Sequence, residues 1–269
     1  MLNDKLGTII NLAMKPIYGP VSSWRLGRSL GVDLLCSEEK ICSFDCIYCQ
    51  LGETKKKTIK RDVYVKSERI FAEWEKMEGK FEADVITLSG TGEPTLASNL
   101  GEVIDFLRKR TSLPLAILTN SSLFCLEEVR EELNKLDIVV AKLDACDKES
   151  FRKINRPVEE LGWGEYLEGI REFRRGYRGK FALQMMFIEE NRDLVEEMVK
   201  IARELEPDEV QVNTPLRPCG VRPLSREELE GIKEKFTNFP KVITPYDLER
   251  KEVKPLDLAE VLKRKRPVP

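Results

Sequence analysis

Asp84-Val85-Ile86-Thr87-Leu88-Ser89-Gly90-Thr91-Gly92-Glu93-Pro94 sets a short β-rich run directly against a loop of glycine, small and polar residues. The run is too short for a stable helix, and the glycines that follow it close a strand rather than extend one. Outward from this point, runs of the same kind recur at 31–36, 114–119, 137–142, 181–187 and 209–213. Between them, apolar residues fall at helical spacing over 70–77, 100–107, 129–136, 166–173 and 194–205. Strand and helix thus alternate about every 30 residues, the pattern of βα units in a parallel sheet. Six such units predict an α/β fold whose sheet curls into a partial or complete barrel, with a doubly wound open sheet as the alternative.

In parallel β/α folds ligands sit at the carboxyl ends of the strands, on the loops that lead into the helices. The first such loop carries Cys42, Cys46 and Cys49, and the second Gly90, Gly92 and Glu93. The third carries Asn120 and Ser121, the fourth Asp144 and Cys146, and the sixth Arg217 and Cys219. Polar and thiol groups are therefore expected on one rim.

Composition narrows the chemistry. The 269 residues, 41% hydrophobic and 34% charged, suit one globular domain with a sizeable core. The net charge of −2 leaves any attraction to nucleic acid to local patches. Heavy use of Glu, Lys and Arg matches proteins of thermophiles, a well-solvated surface being the plainer reading. No apolar run approaches the roughly 20 residues of a membrane span, and residues 1–20 lack the order of a signal peptide, so a cytoplasmic location is expected. Seven unevenly spaced cysteines in a reducing compartment favour metal or catalytic use over disulfides. The sequence contains no histidine, which removes the commonest metal ligand and general base.

Cys42-Ser43-Phe44-Asp45-Cys46-Ile47-Tyr48-Cys49 places three thiols in one tight loop, spaced CxxxCxxC. A [4Fe–4S] cubane takes four ligands, so three local cysteines leave one iron open to a molecule that is not protein. The alternative is zinc, whose fourth ligand would have to be Cys36 or a distant cysteine or carboxylate.

The cysteine spacing, the aromatic Tyr48 before the last cysteine, and Gly90-Thr91-Gly92-Glu93-Pro94 after the second strand together resemble the signature of the radical S-adenosylmethionine (SAM) superfamily. The resemblance implies a partial (β/α)6 barrel over residues 29–245, with an N-terminal extension (1–28) and a C-terminal helix and basic tail (246–269). It implies a [4Fe–4S] cluster on Cys42, Cys46 and Cys49, and SAM as cofactor, cleaved reductively to a 5′-deoxyadenosyl radical. It further implies that Gly90, Gly92 and Glu93 meet the amino group of SAM, that Tyr48 lies near the adenine, and that Asn120, Ser121 and Asp144 serve the ribose and carboxylate. Loop capping is the alternative role for the last three. A one-electron reductant such as ferredoxin or flavodoxin is the implied partner.

Tyr18-Gly19-Pro20-Val21, Arg25-Leu26-Gly27-Arg28-Ser29-Leu30-Gly31 and Asn213-Thr214-Pro215-Leu216-Arg217-Pro218 resemble a small archaeal and bacterial group related to the wyosine-type tRNA-modifying enzymes. That likeness, with the basic stretch Lys55-Lys56-Lys57 through Lys60-Arg61, makes tRNA a candidate substrate. A peptide, protein side chain or small metabolite is the alternative. The wyosine enzyme carries a second cluster on upstream cysteines, and none precedes Cys36 here.

Two further residues are candidate catalysts. Lys142 and Asp144 are two apart and share a strand face, as an ion pair or as a catalytic lysine with its partner. Cys219, beside Arg217, is the candidate reactive thiol, since a nearby cation favours thiolate. Cys125 and Cys146 lie on the same predicted rim, either as unrelated thiols or as part of a second metal site. The segment from Tyr18 to Arg28 reads as turn-rich, and the run Lys263-Arg264-Lys265-Arg266 as a solvated tail or an RNA contact.

Overall fold

A computed structural model describes residues 14–265. Part of the N-terminal extension and of the signal-peptide reading, and Arg266 of the basic run, lie outside the described residues.

The chain opens with β1 (Ile17–Ser23) and β2 (Gly27–Val32), followed by the two-residue strands β3 (Ile41–Cys42) and β4 (Lys56–Lys57) and by α1 (Ser67–Met77). Then β5 (Val85–Leu88), α2 (Leu100–Arg110), β6 (Leu115–Thr119), α3 (Glu127–Leu133) and β7 (Ile138–Lys142) alternate. A short α4 (Lys148–Ser150) runs into a π-helical turn, Phe151–Asn155, before α5 (Trp163–Gly176). β8 (Lys180–Met186), α6 (Val195–Leu205), β9 (Glu209–Asn213), α7 (Arg226–Lys233), β10 (Val242–Ile243) and α8 (Leu258–Lys263) complete it.

The main sheet has the order β1-β2-β5-β6-β7-β8-β9-β10. Every neighbouring pair from β2 onward is parallel, and β1 is antiparallel to β2. The order runs in one direction without reversing, and β1 and β10 stay as edges, so the curled sheet is a half-barrel rather than a doubly wound sheet or a closed barrel. The six expected βα units are those that begin at β2, β5, β6, β7, β8 and β9. Strands such as β5 and β9 are buried along their whole length because parallel strands are covered on both faces. On α6 the buried side chains are Val195, Met198, Val199, Ala202 and Leu205, a stripe at three- and four-residue spacing that packs against the sheet.

Three local expectations change. The first parallel strand is Gly27–Val32, not 31–36, because Asp33 ends it: its carboxylate accepts from the backbone N–H groups of Leu35 and Cys36. The turn-rich segment is a β-hairpin instead, in which an irregularity between Tyr18 and Val21 absorbs the Gly19-Pro20 pair. The basic run is not simply solvated. Arg264 is fully buried, 2.9 Å from carboxylate oxygens of both Asp33 and Glu260, and Lys265 Nζ donates to Leu51 O over 2.9 Å.

Candidate functional site

The loop after β2 is fixed from behind by aromatic packing. Phe44, between the first two cysteines, is fully buried and meets the rings of Phe151 and Tyr166 edge-on at 5.3 and 5.8 Å. The π-helical turn docks on the same loop through its backbone: Asn155 O accepts from Asp45 N and Ile154 O from Ile47 N, at 3.1 and 3.0 Å. Thr54 N, in turn, donates to the Asp45 carboxylate over 2.8 Å.

Cys42, Cys46 and Cys49 line one cavity in the mouth of the half-barrel together with Tyr48, Gly90, Gly92, Glu93, Asn120 and Lys142. Most of the site residues expected from sequence thus come together, from the loops after β2, β5 and β6 and the end of β7. Ser121, Asp144 and Cys219 do not line it.

The sulfurs sit in a donor-rich setting. Asn120 Nδ2 lies 3.4 Å from Cys42 Sγ, Phe44 N 3.5 Å from the same atom, and Asn155 Nδ2 3.5 Å from Cys46 Sγ. Lys40, also on the cavity wall, is buried and holds Gly52 O at 3.2 Å. Burial works against its charge, yet the sulfurs of Cys49, Cys42 and Cys46 outweigh that and keep its ammonium above the usual lysine range. Burial pushes the Cys42 thiol up to about 12, with Lys40 opposing. Such a thiol gives up its proton only to a strong competitor, as metal ions are.

The donor set fits an iron–sulfur cluster better than zinc. No group of three Cys, Asp or Glu side chains among the described residues is arranged to hold a single ion. Zinc draws its ligands into one tetrahedron at ~2.3 Å from sulfur. Here three thiols line one cavity, and a three-cysteine set leaves the fourth position of a cubane to another molecule. The fourth zinc ligand considered, Cys36, turns away: its thiol donates to Met14 O over 3.1 Å.

The two glycines are demanded by packing. A Cβ on Gly90 would lie 1.9 Å from the Asp33 carboxylate carbon, and one on Gly92 1.7 Å from Ile41 O. Gly92 and Ile41 form a parallel bridge, which locks the loop after β5 against the cysteine loop. Glu93 is almost fully buried. Its Oε1 accepts from Thr95 N, Thr95 Oγ1 and Thr119 Oγ1 at 3.1, 2.7 and 2.6 Å, and its Oε2 from Asn120 N at 2.7 Å. Burial raises its pKa while these donors pull the other way. Glu93 therefore ties the loop after β5 to the end of β6.

Ser121 faces β7 instead of the cavity, its hydroxyl accepting from Lys142 N at 3.0 Å. Asp144 is buried behind the site, where it accepts from the Tyr48 hydroxyl, from Asn155 Nδ2 at 3.0 Å and from Met186 N at 2.8 Å. Lys142 Nζ stands 4.0 Å from this carboxylate and 4.4 Å from the centre of the Tyr48 ring. Lys142 thus pairs with Asp144 and also lines the cavity.

Cys219 lies outside the cavity, packed on the hydrophobic cluster of Tyr48, Ile154, Met186 and Ile188, with its thiol directed to Val221 O at 3.4 Å. Arg217 donates instead to the Gln50 side chain. Cys125 and Cys146 are turned to their own loops, toward Ser122 O and Asp147. Sequence reasoning missed Asn155 and Lys40. Asn155 carries no signal beyond being one asparagine in a polar turn, whereas Lys40, two residues before the first cysteine, could have been read as the counter-charge of a thiolate set.

The radical SAM superfamily model matches residues 40–202. A UPF0026 protein of Synechocystis sp. is 40% identical over 228 residues, 82% of each chain. A UPF0026 protein of Methanocaldococcus jannaschii is 37% identical, over 84% of this chain and 71% of its own. Among solved structures, Streptococcus suis SuiB bound to S-adenosylmethionine superposes with a TM-score of 0.59 at 15% identity, over 81% of this chain but only 50% of SuiB. An archaeal TYW1 gives 0.50 at 15% identity, over 77% and 70%. The structural likenesses bear on the fold alone. The sequence matches go further: the chain belongs to the radical SAM superfamily, whose enzymes use a [4Fe–4S] cluster and SAM, and within it to the UPF0026 family.

Proposed function

We propose that Cys42, Cys46 and Cys49 hold the cluster, and that the chain cleaves SAM reductively to modify a substrate admitted through the barrel mouth. The observation that carries this is the single cavity in which the three thiols meet Gly90, Gly92, Glu93 and Asn120. When bound, the cluster and SAM would supply a one-electron cleavage of the C5′–S bond to methionine and a hydrogen-abstracting radical. The electron would come from a donor of the ferredoxin or flavodoxin kind.

The protein's own part is positioning and electrostatics. Asn120 and Asn155 give their amide hydrogens to the sulfurs of Cys42 and Cys46, and Lys40 balances the thiolate charge. Tyr48, clamped by Asp144 and Asn155 beneath the Lys142 ammonium, offers a fixed aromatic edge to the cofactor.

The substrate divides two ways. Exposed Lys56, Lys57 and Lys60 near the cluster loop support a tRNA reading. Arg61 does not add to it, since Glu128, Glu132 and the carbonyls of Thr95 and Ala97 occupy its guanidinium. A second chamber, which shares Gln50, Ser89, Leu118 and Arg217 with the cofactor cavity, supports a small substrate. Release of 5′-deoxyadenosine by the reduced enzyme, measured with purified tRNA and with a metabolite pool, separates them. Turnover stimulated by either one names the class, and cleavage unstimulated by both argues against a substrate of either kind.

A further inference from the structure

We infer that the outer side of the cysteine loop is the docking face for the electron donor, and that it takes a small one-electron carrier protein by that partner's acidic surface. This rests on reading Cys42, Cys46 and Cys49 as the cluster ligands.

Six exposed cations stand behind the cysteines: Lys56, Lys57 and Lys60 after the loop, and Arg152, Lys153 and Arg156 on the π-helical turn and its end. Side-chain contacts knit the two segments into one surface. Lys57 Nζ donates to Arg156 O and Pro157 O at 3.5 and 3.3 Å, and Pro157 in turn bridges to Phe44. Lys56 Nζ lies 4.9 Å from the centre of the Tyr64 ring, whose hydroxyl donates to Lys60 O at 3.3 Å. On the turn Phe151, Ile154 and Asn155 are buried, which leaves Arg152 and Lys153 to solvent.

The fold does not use these charges up. Neighbouring Lys55 pairs with Glu53, and Arg61 with Glu128 and Glu132, but none of the six forms an ion pair among the described residues. Residues 53–66 carry six Lys or Arg against two Asp or Glu, in a chain whose net charge is −2. The acids that flank the turn in sequence, Glu149, Glu159 and Glu160, are half as many as the six cations. Val63, 48% exposed beside Tyr64, adds an apolar spot, and docking faces combine an apolar centre with a polar rim.

Position decides the occupant. Lys57 is the register partner of Cys42 in the β3–β4 pair, and Asn155, next to Arg156, brings its amide to 3.5 Å from Cys46 Sγ. Yet none of the six cations lines the cofactor cavity or the chamber beside it. A substrate must itself reach the radical inside the cavity, whereas an electron crosses protein atoms and needs only a short path from the surface. A basic face that backs the cysteines and lines neither cavity therefore fits an electron carrier better than tRNA. In the step it serves, one electron leaves the reduced carrier, which is oxidised, and enters the cluster, which is reduced; no atom or proton crosses.

The test titrates the cluster-loaded full-length chain calorimetrically with flavodoxin, ferredoxin and tRNA. Alongside, SAM cleavage is driven by the reduced carrier and, separately, by dithionite, an ion too small to need a docking face. The expected result is binding of a carrier that weakens as salt rises, because exposed charges are screened. Arg152→Gln with Lys153→Gln should weaken that binding and slow carrier-driven cleavage about fivefold or more, with dithionite-driven cleavage unchanged. Iron content at the wild-type level checks folding, and Lys56→Gln with Lys60→Gln gives a second reading if the first variant has not folded. Lys109→Gln with Lys200→Gln, exposed on α2 and α6, should change neither. No binding of either carrier, wild-type affinity in both patch variants, an equal loss in the α2–α6 variant, or a loss confined to tRNA binding would overturn the proposal. Absence of cleavage by the wild-type chain with dithionite would sink the SAM-cleavage reading instead, and the carrier titration would still decide the docking face.

Discussion

The side-chain amide of Asn155 reaches both Cys46 Sγ, at 3.5 Å, and the buried carboxylate of Asp144, at 3.0 Å, although the π-helical turn that carries it lies more than a hundred residues beyond the cysteine. One side chain thus couples the Cys46 sulfur to the Tyr48–Asp144–Lys142 group. Hydrogen bonds to cluster sulfurs raise the reduction potential, because they stabilise the more negative reduced form.

Asn155→Leu should therefore keep its iron but show a lower cluster potential and at least about tenfold slower SAM cleavage. A redox titration followed by electron paramagnetic resonance checks this. An unchanged potential would remove Asn155 from the account.

Arg264→Met leaves Asp33 buried without its cation, while Glu260 keeps Lys263 at 2.7 Å, and breaking a buried pair in this way costs about 3–5 kcal/mol. Asp33 also packs against Gly90, so the loss should reach the cofactor loop as well as the C-terminal helix. Urea unfolding measures it, and a change below about 1 kcal/mol would mean that the network is loosely formed.

Asp84 accepts from Arg28 N at 2.7 Å and Arg28 Nη2 at 3.0 Å, and pairs with Lys251 at 3.0 Å. The hydrogen bonds from Arg28 hold its carboxyl well below the usual range. For a depressed carboxyl, the stabilisation is complete above the ordinary aspartate pKa of about 3.9 and is lost as pH falls toward the folded value. Asp84→Asn should lower the melting temperature at neutral pH and flatten its decline in acid. Parallel acid limbs for the two proteins would contradict this.

Much of this was legible in the chain. Alternating runs such as 84–89 and 100–107 locate strands and helices because burial on a sheet and on a helix face imposes different spacings. The cysteine loop and most of its companions were legible because they fall at strand ends, and strand ends converge in a parallel sheet. The β1–β2 hairpin was hidden because Gly19-Pro20 reads as punctuation while a bulge absorbs it. Arg264 was hidden because a run of four basic residues gives no sign that Asp33, over two hundred residues away, buries one of them. Ser121 and Cys219 sit on the right loops but face away from the cavity, a matter of side-chain direction that loop position does not encode.

Cys219→Ser should leave iron content unchanged and SAM cleavage within about twofold of wild type, as expected for a half-buried thiol that does not line the cavity. A loss of product without a loss of iron would restore it as a reactive residue.

The hold of Cys42, Cys46 and Cys49 on a SAM-cleaving cluster is open to direct assay. Anaerobic reconstitution of the wild-type chain and of Cys42→Ala, with iron, sulfide and zinc assayed alongside 5′-deoxyadenosine formation under reduction, tests it most directly. The expected result is about four irons and four sulfides per wild-type chain, with SAM cleavage, and neither in the variant. Stoichiometric zinc without sulfide and without cleavage would contradict it.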